Sequence, residues 1–116
     1  MVEDTPANRV LATKLLRAAG HEVLSADTAT AGIALARDRL PDLVLMDLGL
    51  PDMDGWQALS EIRHDPGPVS QLRVVAFTAH AMVGDRERAL ASGFDEYLSK
   101  PIDFATFADT VKGLLP

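Results

Sequence analysis

A chain of 116 residues with 47% apolar side chains can bury one ordinary core and is too short for two. It has no cysteine, which excludes disulfide frameworks, thiol catalysis and thiolate metal sites and fits a reducing compartment. The formal net charge of −6 disfavours direct binding to nucleic acid, and no apolar stretch has the length of a membrane span or the pattern of a secretory leader. The expected location is the cytoplasm, with no membrane attachment.

Short β-rich runs alternate with amphipathic stretches along the chain. Met1-Val2 is the stub of a first strand. Thr5 and Pro6 suit the N-cap and first residue of a helix with Ala7, Val10, Leu11, Leu15 and Ala18 on its inner face and Gly20 as its stop. A second strand lies near Glu22–Ser25. The second helix starts at about Thr28, turns Ile33, Ala36 and Leu40 inward, and ends at Pro41. Leu43–Met46 is a third strand. Asp54 opens a third helix, with Trp56, Leu59 and Ile62 at helical spacing. The HDPGPVSQ segment reads as a loop. Leu72–Phe77 is a fourth strand. The fourth helix, roughly Met82–Ser92, is weakly patterned and closed by Gly93. Glu96–Ser99 is a fifth strand. Behind an Asp103 cap, Phe104, Phe107, Ala108, Val111, Leu114 and Leu115 stripe a fifth helix.

Five strand–helix units predict a single α/β domain over residues 1–116 with a parallel sheet and no output domain. The third and fourth strands are apolar on both faces, as helix cover on both sides requires. The first strand is shorter than the rest.

The residues that end the strands carry chemistry: Glu3 and Asp4 after the first, Asp47 after the third, Thr78 after the fourth and Lys100 after the fifth. In open α/β sheets the ligand site lies at the carboxyl ends of the strands, beside the topological switch point. Polar residues that merely begin loops would explain any one of these, but not the set. Three carboxylates a few Å apart repel by about 1–4 kcal/mol per pair, depending on the local dielectric. A cation relieves that repulsion, and Mg²⁺ suits oxygen ligands, few carboxylates and retained waters. Lys100 adds a second positive charge, and the Thr78 hydroxyl can donate to a negative oxygen. An Asp held between a divalent cation and a Lys is a nucleophile suited to phosphorus. Asp52 and Asp54 read instead as loop and helix-cap groups, and His21 and His64 as solvated turn residues. Trp56 reads as cover for the core, close enough to Asp47 to shape the rim.

Taken in order, VEDTPANR, LVLMDLGLPDMDG, VVAFTAHA and GFDEYLSKPID resemble the receiver domain of two-component response regulators, the CheY-like family, over nearly the whole chain. The resemblance implies a flavodoxin-like, doubly wound sheet of five parallel strands in the order 2-1-3-4-5. It implies Asp47 as phosphoacceptor, with Thr78 and Lys100 holding phosphoryl oxygens. Mg²⁺ would be placed by Glu3 and Asp4, with Asp4, Asp47 and the backbone carbonyl of Gly49 as ligands and Glu3 acting mainly through water. Tyr97 would be a switch aromatic coupled to Thr78, and the Lys100–Pro101 peptide would be cis. The implied donor is a histidine kinase or histidine phosphotransfer protein. A downstream protein would read the face formed by the fourth helix, fifth strand and fifth helix. Such a domain supplies its own transfer chemistry, so "enzyme" is here a matter of definition. The chain departs from the family pattern in its short first strand and in the small Gly49 and Ala79 beside the site.

Two rival readings fit the residues less well. A receiver-like interaction module that is not phosphorylated would typically have lost one of the acidic pair, the Asp, the Thr or the Lys, and all are present. A Mg²⁺-dependent phosphohydrolase would need a second acid two residues after Asp47, where Gly49 stands, and a cap domain that this length cannot hold.

Overall fold

A computed structural model describes residues 1–3, 5–78, 84–99 and 105–115. Asp4, the Lys100–Pro101 pair with its expected cis bond, the Asp103 cap, Phe104 and the expected start of the fourth helix lie outside the described residues.

The elements are α1 (Pro6–Ala18), α2 (Ala29–Arg39), β1 (Leu43–Asp47), α3 (Gly55–Arg63), a 3₁₀ turn (Pro68–Gln71), β2 (Arg73–Thr78), α4 (Asp85–Ser92), β3 (Glu96–Ser99) and α5 (Phe107–Leu114). β1, β2 and β3 form a parallel sheet in that order. Val2 extends it, bridged in parallel to Met46 on one side and to Ala26 on the other. The spatial order is therefore the segment ending at Ala26, the segment Met1–Glu3, β1, β2 and β3. This is the expected 2-1-3-4-5 arrangement.

Alternation along the strands feeds two cores. Val44, Met46, Val74 and Ala76 pack with Ile33, Leu59 and Ile62 on the α2–α3 side. Leu45, Val75 and Phe77 pack with Leu16, Phe107 and Val111 on the α1–α5 side. Local chemistry sets the helix starts. The Thr28 hydroxyl accepts from the Ala31 N–H at 3.2 Å, and Asp54 Oδ1 accepts from the Gln57 N–H at 2.7 Å. Thr5 makes no such bond, and Pro6 alone preorganises the first turn of α1. Among the described residues no helix is long and apolar enough to cross a membrane.

Four expectations need correction. The second strand does not form a ladder over Glu22–Ser25: its parallel bridge to Val2 falls at Ala26, and only the Met1 amine reaches back to the Leu24 carbonyl. In α1 the buried face carries Ala12 and Leu16, while Val10 is 62% exposed. A helix rich in Ala and Leu has two adjacent apolar stripes, and only packing chooses between them. Leu40 is exposed and left-handed, with φ of 44°, because Pro41 disfavours helical backbone in the residue before it. The expected loop over residues 64–71 contains the 3₁₀ turn, which buries Val69 in the core.

Candidate functional site

The strand register builds the site. Val2 is bridged to Met46, so Glu3 follows it beside Asp47. Asp47 pairs with Phe77, which puts Thr78 one residue beyond on the next strand, and Thr78 pairs in turn with Ser99. Glu3, Asp47 and Thr78 thus stand at the carboxyl ends of three adjacent strands. All three are buried, with Glu3 fully enclosed. Lys100, which follows Ser99 in the chain, and Asp4 lie outside the described residues.

Backbone donors hold the two carboxylates. The Gly49 N–H donates to Asp47 Oδ1 at 3.0 Å, and the Thr5 N–H donates to Glu3 Oε1 at 3.2 Å. Arg9 reaches back from α1 to donate to the Glu3 carbonyl at 2.8 Å. Gly49 itself is exposed, and a Cβ there would come within 3.9 Å of Asp47 Oδ1, so its lack of a side chain leaves that oxygen approachable.

Two carboxylates side by side and out of water favour a compensating cation. The donor set is oxygen only, which fits Mg²⁺ rather than a soft metal. Among the described residues no three acidic or histidine side chains gather into a metal-sized cluster; the sequence supplies its third acid at Asp4, outside them.

The loop after β1 is anchored in two ways that local reading missed. Asp52 does not hang in solvent. Its carboxylate accepts from the Ala29 and Thr30 N–H groups at 2.8 and 2.9 Å and from the Thr30 hydroxyl at 2.6 Å, capping α2 from across the fold. The Thr30 hydroxyl first, then the two N–H groups, bring its pKa down to about 2. No spacing signal announces a cap placed more than 20 residues downstream of its helix. Gly55 is the second anchor. Its N–H donates to the Leu48 carbonyl at 2.9 Å, and a Cβ there would stand 2.7 Å from Leu48 Cα. Only glycine lets α3 start this close to the Asp47 loop. Asp54 is the helix cap expected of it, whereas Trp56 packs edge-on against Phe94 beneath the Arg88 guanidinium.

Tyr97 lies on β3 opposite Ala76, two residues before Ser99, the partner of Thr78. Strand alternation gives Tyr97 the same face as Ala76 and Thr78. Its ring is half-buried against the α2–α3 core, and its hydroxyl is enclosed with no hydrogen-bond partner among the described residues. Burial, and then the negative charge of Asp85, push its phenol above the usual value.

Residues 1–112 match the response regulator receiver domain family. Over 115 residues the chain is 36% identical to the polar-differentiation response regulator DivK of Brucella ovis, covering 99% of this chain and 93% of that protein. The receiver domain of a sensor histidine kinase from Pseudomonas aeruginosa was solved with a magnesium ion coordinated in its active-site cleft. It superposes with a TM-score of 0.82 at 34% identity, over 97% of this chain and 89% of that one. A CheY-like receiver domain protein from Methanospirillum hungatei gives a TM-score of 0.84 at 27% identity, over 97% and 87%.

Proposed function

The chain belongs to the response regulator receiver domain family, and from that premise we propose that it takes a phosphoryl group from a phosphohistidine onto Asp47. The observation that carries the reading is the gathering of Glu3, Asp47 and Thr78, all buried, at three adjacent strand ends. An Asp47 oxygen forms the new bond to phosphorus. The phosphorus–nitrogen bond of the donor breaks, and the imidazole leaves with the electron pair. Aspartyl phosphates are established covalent intermediates. The Gly49 N–H orients the nucleophile through Oδ1. The Thr78 hydroxyl donates to a phosphoryl oxygen, and Lys100 pairs with another by charge-assisted bonding. Glu3, Asp4, Asp47 and the Gly49 carbonyl would hold Mg²⁺, which when bound neutralises charge on the phosphoryl oxygens. Donors in this reading are a histidine kinase or histidine phosphotransfer protein in the cytoplasm.

Signalling runs along the strand face that Thr78 shares with Tyr97. A phosphoryl group on Asp47 draws the Thr78 hydroxyl toward it, and the space on that face is what the Tyr97 ring senses. A downstream protein reads the α4–β3–α5 surface.

Incubation with acetyl phosphate and Mg²⁺ tests the reading. It should add one hydroxylamine-labile phosphoryl group to the parent and none to Asp47→Asn, scored by intact mass. Thr78→Val should still be labelled, while resonance shifts of α4 and Tyr97 under beryllofluoride shrink. Equal labelling of the Asn variant removes Asp47 from its role. An unlabelled parent would make the domain an interaction module that works without phosphate.

A further inference from the structure

The segment that joins β1 to α3 is held on two sides. Toward α3 the ties are local: the Gly55 N–H donates to the Leu48 carbonyl at 2.9 Å, and the Gln57 N–H donates to Asp54 Oδ1 at 2.7 Å. Toward α2 the tie is Asp52, and both of its oxygens are engaged. Oδ1 accepts from the Ala29 N–H at 2.8 Å. Oδ2 accepts from the Thr30 N–H at 2.9 Å and from the Thr30 hydroxyl at 2.6 Å. Bonds to a carboxylate are roughly twice as strong as neutral ones, and a helix N-terminus favours negative charge. Ala29 is fully buried in the α2–α3 core, so the latch closes on a fixed point.

Between the tie at Leu48 and the latch at Asp52 stand Gly49, Leu50 and Pro51. Leu50 is buried, whereas Gly49 and Pro51 are exposed. Gly49 is where this loop meets the nucleophile, through its N–H on Asp47 Oδ1 at 3.0 Å. A residue with no side chain to pack and a permissive backbone takes its place from its neighbours. The helix end that receives the latch has a second cap, since the Thr28 hydroxyl accepts from the Ala31 N–H at 3.2 Å. Thr28 serves α2 from its own stretch of chain; Asp52 serves α2 and the loop together.

We propose that Asp52 is a positioning residue for Asp47: latched to Ala29 and Thr30, it keeps the loop where the Gly49 N–H rests on Asp47 Oδ1, and so sets how fast Asp47 takes up a phosphoryl group. The kinetic part of this role rests on the phosphoryl-transfer reading above; the placing of Gly49 does not. Asp52 touches neither donor nor reacting atoms and acts through Gly49. Small displacements suffice, because a misplacement of about 1 Å can cost roughly a hundredfold in rate. The Thr30 hydroxyl, on a different element, thereby matters to the nucleophile.

Two readouts test this: solvent exchange of the Gly49 amide by NMR, without phosphoryl donor or metal, and the rate of labelling by acetyl phosphate. Asp52→Ala should quicken Gly49 exchange and slow labelling, each by about fivefold or more. Thr30→Val should move both in the same direction by less, and Thr30→Ser, which restores the donor, should match the parent. Thr28→Ala uncaps the same helix end without releasing the loop, so both readouts should stay within about twofold of the parent. Unchanged Gly49 exchange in Asp52→Ala, equal effects of Asp52→Ala and Thr28→Ala, or a freed Gly49 with undiminished labelling would each overturn the proposal. A parent that takes no label would overturn the phosphoryl reading and the kinetic part with it, while Gly49 exchange would still decide the latch.

Discussion

α3 and α4 lie on the same side of the sheet, yet they are held in different ways. α3 buries Gly55, Ala58, Leu59 and Ile62, and Asp54 caps its first turn. At its far end Arg63 donates to the carbonyls of Ser70, Leu72 and Gly93 and to Asp95, tying the helix to both neighbouring strand entries. α4 buries Ala89 alone, its N-cap Gly84 offers no side-chain bond, and Leu90 is 41% exposed. Its ties are peripheral: Arg86 to Glu96 at 2.9 Å, and Arg88 lying 4.3 Å above the Trp56 ring. The difference separates two jobs. The welded helix fixes the loop that follows Asp47. The lightly held helix borders Tyr97, and few buried contacts mean low local stability.

The largest expected break in this contrast is by truncation. Ile62→Ala should cost about 2–5 kcal/mol, as a fully buried aliphatic does, while Leu90→Ala should stay within about 0.5 kcal/mol. Urea melts of the two variants check it, and equal losses would erase the distinction. A pH change should move the whole domain and leave the contrast standing. The Met1 amine falls from 8.0 to about 6 on folding, so the unfolded chain binds more protons between those values. Stability should therefore rise from pH 6 to pH 8, by up to about 3 kcal/mol, and then level off. N-terminal acetylation, which removes the titration, should flatten that part of the profile. At the acid end, the lowered pKa of Asp52 adds stability that is present above its usual range and lost as pH falls toward 2.

Arg63→Ala should cost about 1–3 kcal/mol by stranding carbonyls that its guanidinium serves, and Arg63→Lys should recover only part, because one ammonium cannot span the same fork. Chemical denaturation measures both. The smallest effect sharpens the picture most. Arg88→Ala should cost about 0.5–1 kcal/mol, the value of an exposed cation–π contact. It should also change Trp56 fluorescence and speed amide exchange in α4, with α3 unaffected. Exchange that quickens equally in both helices would mean they move as one body.

Much of this fold was legible locally. β3 spans the expected residues Glu96–Ser99, Asp54 caps α3, and the strand-end positions of Glu3, Asp47 and Thr78 follow from where apolar runs stop. Periodicity, caps and strand ends are properties of a few consecutive residues, so the amino-acid sequence determines them directly. The tertiary structure alone decided the rest. Which stripe of α1 is buried depended on α5 and the sheet. The cap on α2 came from Asp52, and the tie on α3 linked Arg63 to carbonyls as far away as Gly93. These contacts join positions distant in the chain, where no spacing rule applies and only the packed register brings partners within hydrogen-bonding reach.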